Sequence, residues 1–274
     1  MGKSTEVQIF MLCHTPVEYG LVDNKFVTPL ECGAAIKDEN VCSLKDNTGD
    51  NISALNQFYT EDTGIYWIWK NVNDCKYKGQ IQYRRRFKIL EDESLDFNDI
   101  FQEHDAIIAE PMNIADLYSL PFLTLETQYG MAHNIDDIKL MERIIKRDFP
   151  HYSEAYDDYI KNGKEILYSN GFILKKEDYN QYCSELFYIL EKWLNETNIH
   201  SIDKLHEYVY NAIMNGTISN ATMDSYHRRD LNYACKYQMR IGGSLAERFF
   251  TLFANYHFQT PLYLSYFKPE GNYL

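Results

Sequence analysis

The sequence contains no hydrophobic run long enough to cross a membrane or to act as a secretion signal. None of its segments approaches the roughly 20 consecutive apolar residues of a membrane-spanning helix. No apolar run of signal-peptide length follows the opening Met-Gly-Lys-Ser-Thr-Glu-Val. The six cysteines include no C-x-x-C pair, which excludes a zinc ribbon and a thioredoxin-type motif. We therefore expect a soluble cytoplasmic protein with free thiols, and we consider the inner face of the cytoplasmic membrane as a second location.

The chain also lacks the signature motifs of several large enzyme classes. It has no Walker A sequence, no Rossmann glycine motif, no H-E-x-x-H, no G-x-S-x-G and no protein-kinase signature set. Most P-loop NTPases, classical dehydrogenases, zincins and α/β-hydrolases are thereby excluded. Basic residues are in the minority, with 27 Lys and Arg against 40 Asp and Glu and a net charge of −13. This acidity argues against binding to duplex nucleic acid, which requires a basic face.

The pattern of apolar residues predicts the fold class. Short apolar segments typical of buried strands alternate with amphipathic segments typical of helices. The predicted strands are 7–13, 79–83, 105–111 and 168–174, and the predicted helices are 61–71, 134–147, 176–194 and one from 244 onward. This alternation predicts an α/β protein with a mainly parallel sheet flanked by helices and a helical C-terminal portion.

The length of the chain suits one large domain. At 274 residues and 45% hydrophobic content, the chain can bury a substantial core. We expect a single domain over 1–274, with a core to about residue 255 and a C-terminal extension over 256–274.

The most distinctive segment is 79–87, where a short apolar strand leads into three consecutive arginines. Arginine forks match the geometry of phosphate, so a basic cluster in so acidic a chain predicts an anion site. Along a strand, Tyr83 and Arg85 would point one way and Arg84 the other, unless the strand has already ended. We therefore expect one or two arginines to face a ligand and Arg86 to be dispensable. The alternatives are a solvated edge strand and structural ion pairs.

A second strand end offers polar residues that complement this cluster. The first predicted strand ends at Cys13-His14-Thr15, and the arginine strand ends at Gln82 and Tyr83. The carboxyl ends of parallel strands meet at one edge of an open α/β sheet, which is where such sheets bind ligands. We therefore expect one crevice over both strand ends, with room for a nucleotide diphosphate.

These residues belong to a longer series of motifs that resembles a known family. The sequence is similar to bacterial capsule, exopolysaccharide and O-antigen glycosyltransferases long described as a domain of unknown function, among them a galactofuranosyltransferase. Single motifs are weak, but their order and spacing are specific, and they cover nearly the whole chain up to about residue 255. The matching segments are 9–14, 33–35, 46–53, 66–71, 83–85, 128–133, 168–173 and 247–248.

The resemblance implies a GT-A-like (Rossmann-like) fold and a sugar-transfer reaction. The implied donor is a UDP-sugar, with galactofuranose as the candidate sugar, and the acceptor is a growing surface polysaccharide or lipid-linked glycan. The galactofuranose member implies inversion, in which a base takes the acceptor proton while the leaving diphosphate is stabilised. The rival interpretation is a non-catalytic subunit that binds sugar nucleotides or glycans in the same machinery.

The resemblance also assigns site residues in three groups. The candidate catalytic bases are Asp50 and Glu247. The candidate donor ligands are Cys13, His14, Asn51, Gln82, Tyr83, Arg84 and Arg85. The candidate sugar or acceptor ligands are Gln128, His133, Asn170 and Arg248.

The sequence departs from the family pattern at three positions. Gln82 stands where the family usually has histidine, so imidazole chemistry is not essential there, although an amide can still position a ligand. Gly171 replaces a larger residue and would widen the pocket. Thr15 takes a place that is often basic in relatives.

Several of these residues also have a structural interpretation. Ser244-x-x-Glu247 forms a capping box, so Glu247 could instead cap its own helix or pair with Arg248. His133 could be a packing histidine, and Cys13 a small buried residue rather than a nucleophile. Trp67 and Trp69, by the same reasoning, are expected in the core.

No metal site is predicted. Glu91-Asp92-Glu93 imitates the Asp-x-Asp motif that holds a divalent cation in most GT-A enzymes, but a solvated acidic loop is the alternative. Arg84 and Arg85 could replace the charge of a metal. We therefore predict metal-independent transfer, with Mn²⁺ or Mg²⁺ as the alternative cofactor.

The C-terminal part suggests a membrane contact. Basic residues at 227–229 and 236–240 precede a series of aromatic residues over 249–266. Such a combination can hold a protein at an anionic lipid surface, which would suit a lipid-linked acceptor. The alternative is a C-terminal helix that packs into the core. The expected partners are thus a nucleotide-sugar donor, a glycan or lipid-linked acceptor and a membrane surface, but no nucleic acid.

Overall fold

The protein is built around a six-stranded mixed sheet. The computed structural model describes residues 4–15, 22–38, 40–168, 170–218 and 230–267. The sheet has the strand order β2-β1-β3-β8-β5-β9. Its strands are β1 Val7–Cys13, β2 Val27–Glu31, β3 Tyr77–Gln82, β5 Ala106–Ala109, β8 Phe172–Lys175 and β9 Leu262–Leu264. Two further pairs join β4 Arg86–Phe87 to β10 Tyr266–Phe267, and β6 Met112–Asn113 to β7 Glu165–Ile166.

The pairing confirms a mainly parallel sheet. β1 runs parallel to β2 and β3, and β5 runs parallel to β9, while β8 is antiparallel to both β3 and β5. The continuous apolar run of β1 is explained by its central position, because helices cover both faces of such a strand. The α/β class and the helical C-terminal portion are thereby confirmed.

The described helices include the four predicted ones, which lie at 62–71, 135–148, 176–196 and 241–257, and several that were not predicted. They are α1 Asn56–Tyr59, α2 Asp62–Asn71, α3 Phe97–Glu103, α4 Ile114–Tyr118, α5 Leu125–Ala132, α6 Ile135–Asp148, α7 Ser153–Tyr156, α8 Lys176–Glu196, α9 Ile202–Met214, α10 Leu231–Gln238 and α11 Ile241–His257. Asn134 caps α6 by accepting a hydrogen bond from the Asp136 N–H at 3.1 Å, and Pro150 follows its end. Trp67 is a core residue, as expected, and packs edge-on against Phe10. Trp69 is only half-buried and stacks on Phe187 of α8 at the edge of the core.

The start of α11 corrects one prediction. This helix begins at Ile241 rather than at Ser244, whose N–H donates to the Arg240 carbonyl at 3.2 Å. Because Ser244 lies inside the helix, it cannot be an N-cap, and the capping-box interpretation of Glu247 is wrong.

Three aromatic residues of α11 face the protein interior, whereas Tyr256 in the same helix is 40% exposed. Phe249, Phe250 and Phe253 are at most 1% exposed, as the packed-helix alternative expects. These rings are not available to a lipid surface, and the basic residues 227–229 lie outside the described ranges. Within the parts of the chain that the structure describes, no helix is both long and apolar enough to span a bilayer.

The expected C-terminal extension takes part in the sheets. Within 256–267, β9 pairs in parallel with β5, and β10 pairs with β4 directly after the arginine run. The extension therefore supports the same edge of the molecule as the arginines.

A buried carboxyl group in α6 makes the stability of the fold depend on pH. Asp137 is 1% exposed and accepts hydrogen bonds from the hydroxyls of Tyr208 at 2.6 Å and Tyr129 at 3.4 Å. Although these donors favour the ionised form, burial prevails and raises the pKa of Asp137 to about 7. Below about pH 7, the folded protein therefore keeps a proton on Asp137, whereas the unfolded chain releases this proton near the ordinary pKa of aspartate.

We expect the free energy of unfolding to fall by about 1.4 kcal/mol more in the wild type than in Asp137→Asn between pH 6 and pH 8. A group with a raised folded-state pKa stabilises fully below its unfolded pKa, and this stabilisation is lost as the pH rises through about 7. Urea titrations of both proteins would measure the difference. The comparison with the variant removes the opposite contribution of histidines. Parallel pH profiles for the two proteins would contradict the assignment.

Candidate functional site

The carboxyl ends of β1 and β3 lie side by side and form the floor of a crevice. Leu12 pairs with Gln82, and the Tyr83 N–H donates to the Leu12 carbonyl at 3.1 Å. Directly beyond the strand ends, the His14 ring packs edge-on against the Tyr83 ring, with 4.9 Å between the centroids. The structure thus brings together the two strand ends that the sequence pattern placed over one crevice.

The strand β3 ends before the arginine run begins. β3 ends at Gln82, and a turn follows, so the alternation of a strand does not restrict Arg84 and Arg85. The guanidinium of Arg84 lies 5.1 Å from the Tyr83 ring centroid, and that of Arg85 lies 4.4 Å from the Tyr168 ring centroid. Neither arginine has a carboxylate within ion-pair distance among the residues described. Their aromatic contacts orient the guanidinium groups but leave their hydrogen-bond donors free for an anion.

Arg86 has a different environment from its two neighbours. It lies in β4 opposite Phe267, and its Nε and Nη2 atoms are buried without a hydrogen-bond partner in the described part of the chain. Burying a charged group in this way costs free energy. These surroundings therefore do not support the expectation that Arg86 is dispensable.

Two adjoining cavities occupy the crevice. We call the first the inner cavity; it has a volume of about 230 Å³. It is lined by Thr60, Glu61, Asp62, Tyr118, Gln128, Ala132, His133, Tyr237, Arg240, Gly243, Ser244, Glu247 and Arg248. We call the second the strand-end cavity; its volume is about 270 Å³. It is lined by His14, Asn56, Gln57, Thr60, Glu61, Lys236 and Arg240.

Close packing between α11 and the segment before α2 places Glu61 in both cavities. Thr60 adopts a left-handed backbone conformation, with φ of 56°, and turns the chain toward α11. A Cβ atom on Gly243 would lie 2.3 Å from the Thr60 Oγ1, and one on Gly242 would lie 2.7 Å from the Phe58 ring. The two glycines therefore allow the close approach that brings Glu61 beside α11.

Glu61 is held by two amides and lies near His14 and Arg240. Its Oε1 accepts hydrogen bonds from Asn170 Nδ2 at 2.9 Å and from Gln82 Nε2 at 3.4 Å. Burial would raise the pKa of Glu61, but His14, Arg240 and the Asn170 hydrogen bond outweigh it and keep the pKa below its ordinary value. Glu61 is therefore ionised at neutral pH.

Glu247 and Arg248 form an ion pair on the wall of the inner cavity. Arg248 is 4% exposed, and its Nη1 donates to Glu247 Oε2 at 3.1 Å and to the Ser244 carbonyl at 2.9 Å, while its Nη2 donates to Gln128 Oε1. The pairing of Glu247 with Arg248 is thus confirmed. Burial raises the pKa of Glu247 despite the neighbouring arginine. Arg248 is engaged by these groups and organises the wall.

His133 is neutral and serves as a fixed wall of the inner cavity. Gln238 Nε2 donates to the Ala132 carbonyl at 2.9 Å, which turns its Oε1 toward His133 Nδ1 at 2.8 Å. His133 therefore carries its proton on Nδ1, and its Nε2 accepts from the Ser244 hydroxyl at 3.1 Å. Burial lowers the pKa of His133 to about 4. The packing interpretation and a ligand contact are both compatible with this position.

A tyrosine from the C-terminal extension joins the amides around Glu61. The Tyr266 hydroxyl accepts from the Gln82 N–H at 2.5 Å and donates to the Asn170 carbonyl at 2.7 Å. It thereby ties the end of β3 to the segment before β8. No local sequence pattern indicates this role, because Tyr266 lies 184 residues from Gln82 in the chain.

Five of the candidate site residues line the two cavities: His14, Gln128, His133, Glu247 and Arg248. Gln82 and Asn170 adjoin the cavities through Glu61, and Tyr83 adjoins them through His14. Arg84 and Arg85 lie in the turn beside Tyr83 and line neither cavity.

Three further candidate residues contribute no side chain to the crevice. Cys13 is fully buried, and its thiol donates to the Met11 carbonyl at 3.4 Å, so only its backbone adjoins the donor region. Asp50 accepts from the Tyr66 hydroxyl at 3.1 Å, and its carbonyl accepts from Asn71 at the last residue of α2. The ten residues of α2 span roughly 15 Å, so Asp50 and the adjacent Asn51 lie far from Glu61 at the opposite end.

The acidic motif at 91–93 belongs to a surface turn. Asp92 Oδ1 accepts from the backbone and hydroxyl of Ser94, and Glu93 Oε1 accepts from the Lys25 N–H ahead of β2. This is the acidic-loop alternative. In the ranges covered by the structure, no three His, Cys, Asp or Glu side chains are grouped closely enough to ligate one metal ion.

Glu61 and Arg240, which line both cavities, were not predicted as site residues from the sequence. Glu61 looked like the first acidic residue of a helix, and Arg240 looked like part of a basic surface zone. The one available signal for Glu61 was the pair of acids, Glu61 and Asp62, that directly precedes an apolar helix. Nothing local in the sequence shows that α11 lies against this helix end.

Comparison with known proteins places the chain in a family. A solved structure of the WbbM bifunctional glycosyltransferase, in its apo form, is similar over 95% of this chain, with a TM-score of 0.68 and 20% sequence identity. The present chain spans 45% of that structure, so the likeness concerns the fold of one part of it. No curated protein matches the sequence. Residues 8–229 match the family described as a domain of unknown function, DUF4422. Because this match covers most of the chain, the protein belongs to the DUF4422 family.

Proposed function

We propose that this protein is a glycosyltransferase that uses a nucleotide diphosphate sugar as donor. The observation that carries the proposal is the group of arginines around the crevice, Arg84, Arg85 and Arg240, which have no carboxylate partner among the described residues although the chain carries a net charge of −13. Arg84 and Arg85 follow the carboxyl end of a parallel strand, and Arg240 lines both cavities, so these guanidinium groups suit a diphosphate. The similarity in fold to a protein described as a glycosyltransferase supports the same conclusion.

The two cavities suit the two substrates. The strand-end cavity is lined by His14, which packs against Tyr83 directly before Arg84 and Arg85, so we assign the donor diphosphate to it. As the bond to the sugar breaks, negative charge develops on the diphosphate, and Arg84 and Arg85 stabilise it. The inner cavity is polar and includes Tyr118 and Tyr237, whose rings and hydroxyls can contact a sugar. It therefore takes the acceptor.

The finer assignment follows the family resemblance. We propose a UDP-sugar donor, galactofuranose as the transferred sugar, inversion at the anomeric carbon, and a surface polysaccharide or lipid-linked glycan as the acceptor. Transfer at the inner face of the cytoplasmic membrane would give the protein access to such an acceptor. Metal-independent transfer remains our prediction, since the arginines supply positive charge at the diphosphate.

A thermal-shift screen followed by a turnover assay tests this function. We expect UDP and UDP-sugars to raise the melting temperature with or without manganese, because a ligand that binds only the folded state stabilises it. UDP release from the same sugars should follow, and a chelator should leave it unchanged. Binding without turnover across the donors would indicate a non-catalytic subunit instead. Activity lost with a chelator and restored by manganese would contradict metal independence.

A further inference from the structure

One carboxylate lies where the two cavities of the crevice meet. The inner cavity and the strand-end cavity share Thr60, Glu61 and Arg240. A catalytic base must reach the acceptor hydroxyl at the point where it meets the donor sugar. Of the three shared residues, Thr60 is a poor base and Arg240 is a cation. Glu61 alone of these three can accept a proton.

The structure holds Glu61 in place without neutralising it. The amides of Asn170 and Gln82 both donate to Oε1, and neither donates to Oε2. No Lys, Arg or His forms an ion pair with Glu61 within the described ranges. The carboxylate therefore has a fixed orientation and keeps one oxygen clear of these donors. Tyr266 adds to this order, because it bonds to the backbone of both amide residues.

The other two carboxylates of the inner cavity are less suited to the task. Glu247 is tied to Arg248 at 3.1 Å. Asp62 is 1% exposed, and both of its carboxylate oxygens are buried. Glu61 is thus the carboxylate of the inner cavity that is neither paired with an arginine nor enclosed, and it is the one that also lines the strand-end cavity.

We propose that Glu61 is the general base of the transfer reaction. This inference rests on the proposed function. The acceptor oxygen attacks the anomeric carbon of the donor sugar and forms the new glycosidic bond. The bond between that carbon and the diphosphate oxygen breaks, and its electron pair leaves with the diphosphate beside Arg84 and Arg85. The acceptor proton passes to the Glu61 carboxylate and then to solvent.

Two substitutions at Glu61 separate a base from a merely structural residue. Glu61→Gln keeps the shape and the hydrogen bonds from Asn170 and Gln82 but cannot accept the proton. Glu61→Asp keeps the charge but shortens the side chain and loosens those bonds. We expect Glu61→Gln to lower kcat for UDP release by a factor of roughly 100 to 10,000, and Glu61→Asp to retain more activity than Glu61→Gln. A structural role predicts the reverse order.

The assay uses UDP-glucose, UDP-galactose and UDP-galactofuranose with an octyl galactoside or water as acceptor, and calorimetry with UDP measures donor-site binding. The UDP dissociation constant of Glu61→Gln should stay within about threefold of the wild-type value. Glu103→Gln, the same change at an exposed glutamate of α3, serves as the control and should keep wild-type turnover.

The possible outcomes distinguish failure of the general-base proposal from failure of the glycosyltransferase proposal. If the wild type turns over a donor and Glu61→Gln keeps the same kcat, then Glu61 is not the general base, and the glycosyltransferase proposal is unaffected. Loss of UDP binding together with kcat in Glu61→Gln also overturns the base, because the residue would then serve the donor site. Absence of wild-type UDP release from all three sugars overturns the proposed function and this inference with it.

Discussion

Replacing both Arg84 and Arg85 by alanine is expected to lower kcat/KM for nucleotide-sugar turnover by roughly 100- to 1,000-fold. In the free protein these guanidinium groups contact only aromatic rings among the described residues, at 5.1 and 4.4 Å. Their removal therefore breaks no ion pair of the fold, and the loss should fall on the diphosphate in the transition state. Steady-state kinetics with calorimetry for UDP would measure it, and the melting temperature without ligand should change little.

The matched control removes the same amount of charge elsewhere. Lys88→Ala with Arg143→Ala also deletes two cations, one just beyond β4 and one on α6. Neither of these residues packs on the Tyr83 or Tyr168 ring as Arg84 and Arg85 do, and neither lines a cavity. If the two double variants lose activity equally, long-range attraction of the anionic donor explains the effect, and the contact role of Arg84 and Arg85 is refuted.

Asp46→Ala is expected to lower the free energy of unfolding by about 3 to 5 kcal/mol. Asp46 is fully buried, and its carboxylate accepts from the Gly33 N–H at 2.7 Å, from the Ala34 N–H at 3.0 Å and from the Ser53 hydroxyl. Alanine would leave these buried donors without an acceptor, and a lower urea midpoint would show the loss. The turn they form leads to Lys37, which donates to the His14 carbonyl at 2.8 Å, so the strand-end cavity should loosen as well.

Asp50→Ala is the natural comparison, because Asp46 and Asp50 belong to one sequence motif. Asp50 is exposed, so its removal should change the free energy of unfolding by no more than about 0.5 kcal/mol. Equal destabilisation by the two variants would refute the structural role of Asp46. A stable Asp50→Ala protein that has lost turnover would show that Asp50 takes part in the reaction after all.

The features that local patterns encode were predictable. The apolar run of β1, the capped helix α6 and the long amphipathic α8 follow from periodicity and end signals that depend on neighbouring residues. The meeting of His14 with the arginine turn also follows, because parallel strands align their carboxyl ends. The start of α11 was missed, because Ser244 and Glu247 imitate a capping box that only the backbone position of Ser244 excludes.

For the site, residue types along the chain predicted an anion-binding strand end in an acidic α/β protein, since charge and periodicity are properties of the sequence itself. Packing between distant segments decided which other residues lie in the crevice. Glu61 became a site residue because Gly242 and Gly243 let α11 approach it, and Asn170 became its partner from across the sheet. Asp50 lies away from the cavities because it bonds to Tyr66 and to Asn71 at the far end of α2, and Asn51 bonds within its own loop to Gly49. Such contacts join residues tens to hundreds of positions apart, and no local pattern records which of them the folded chain will form.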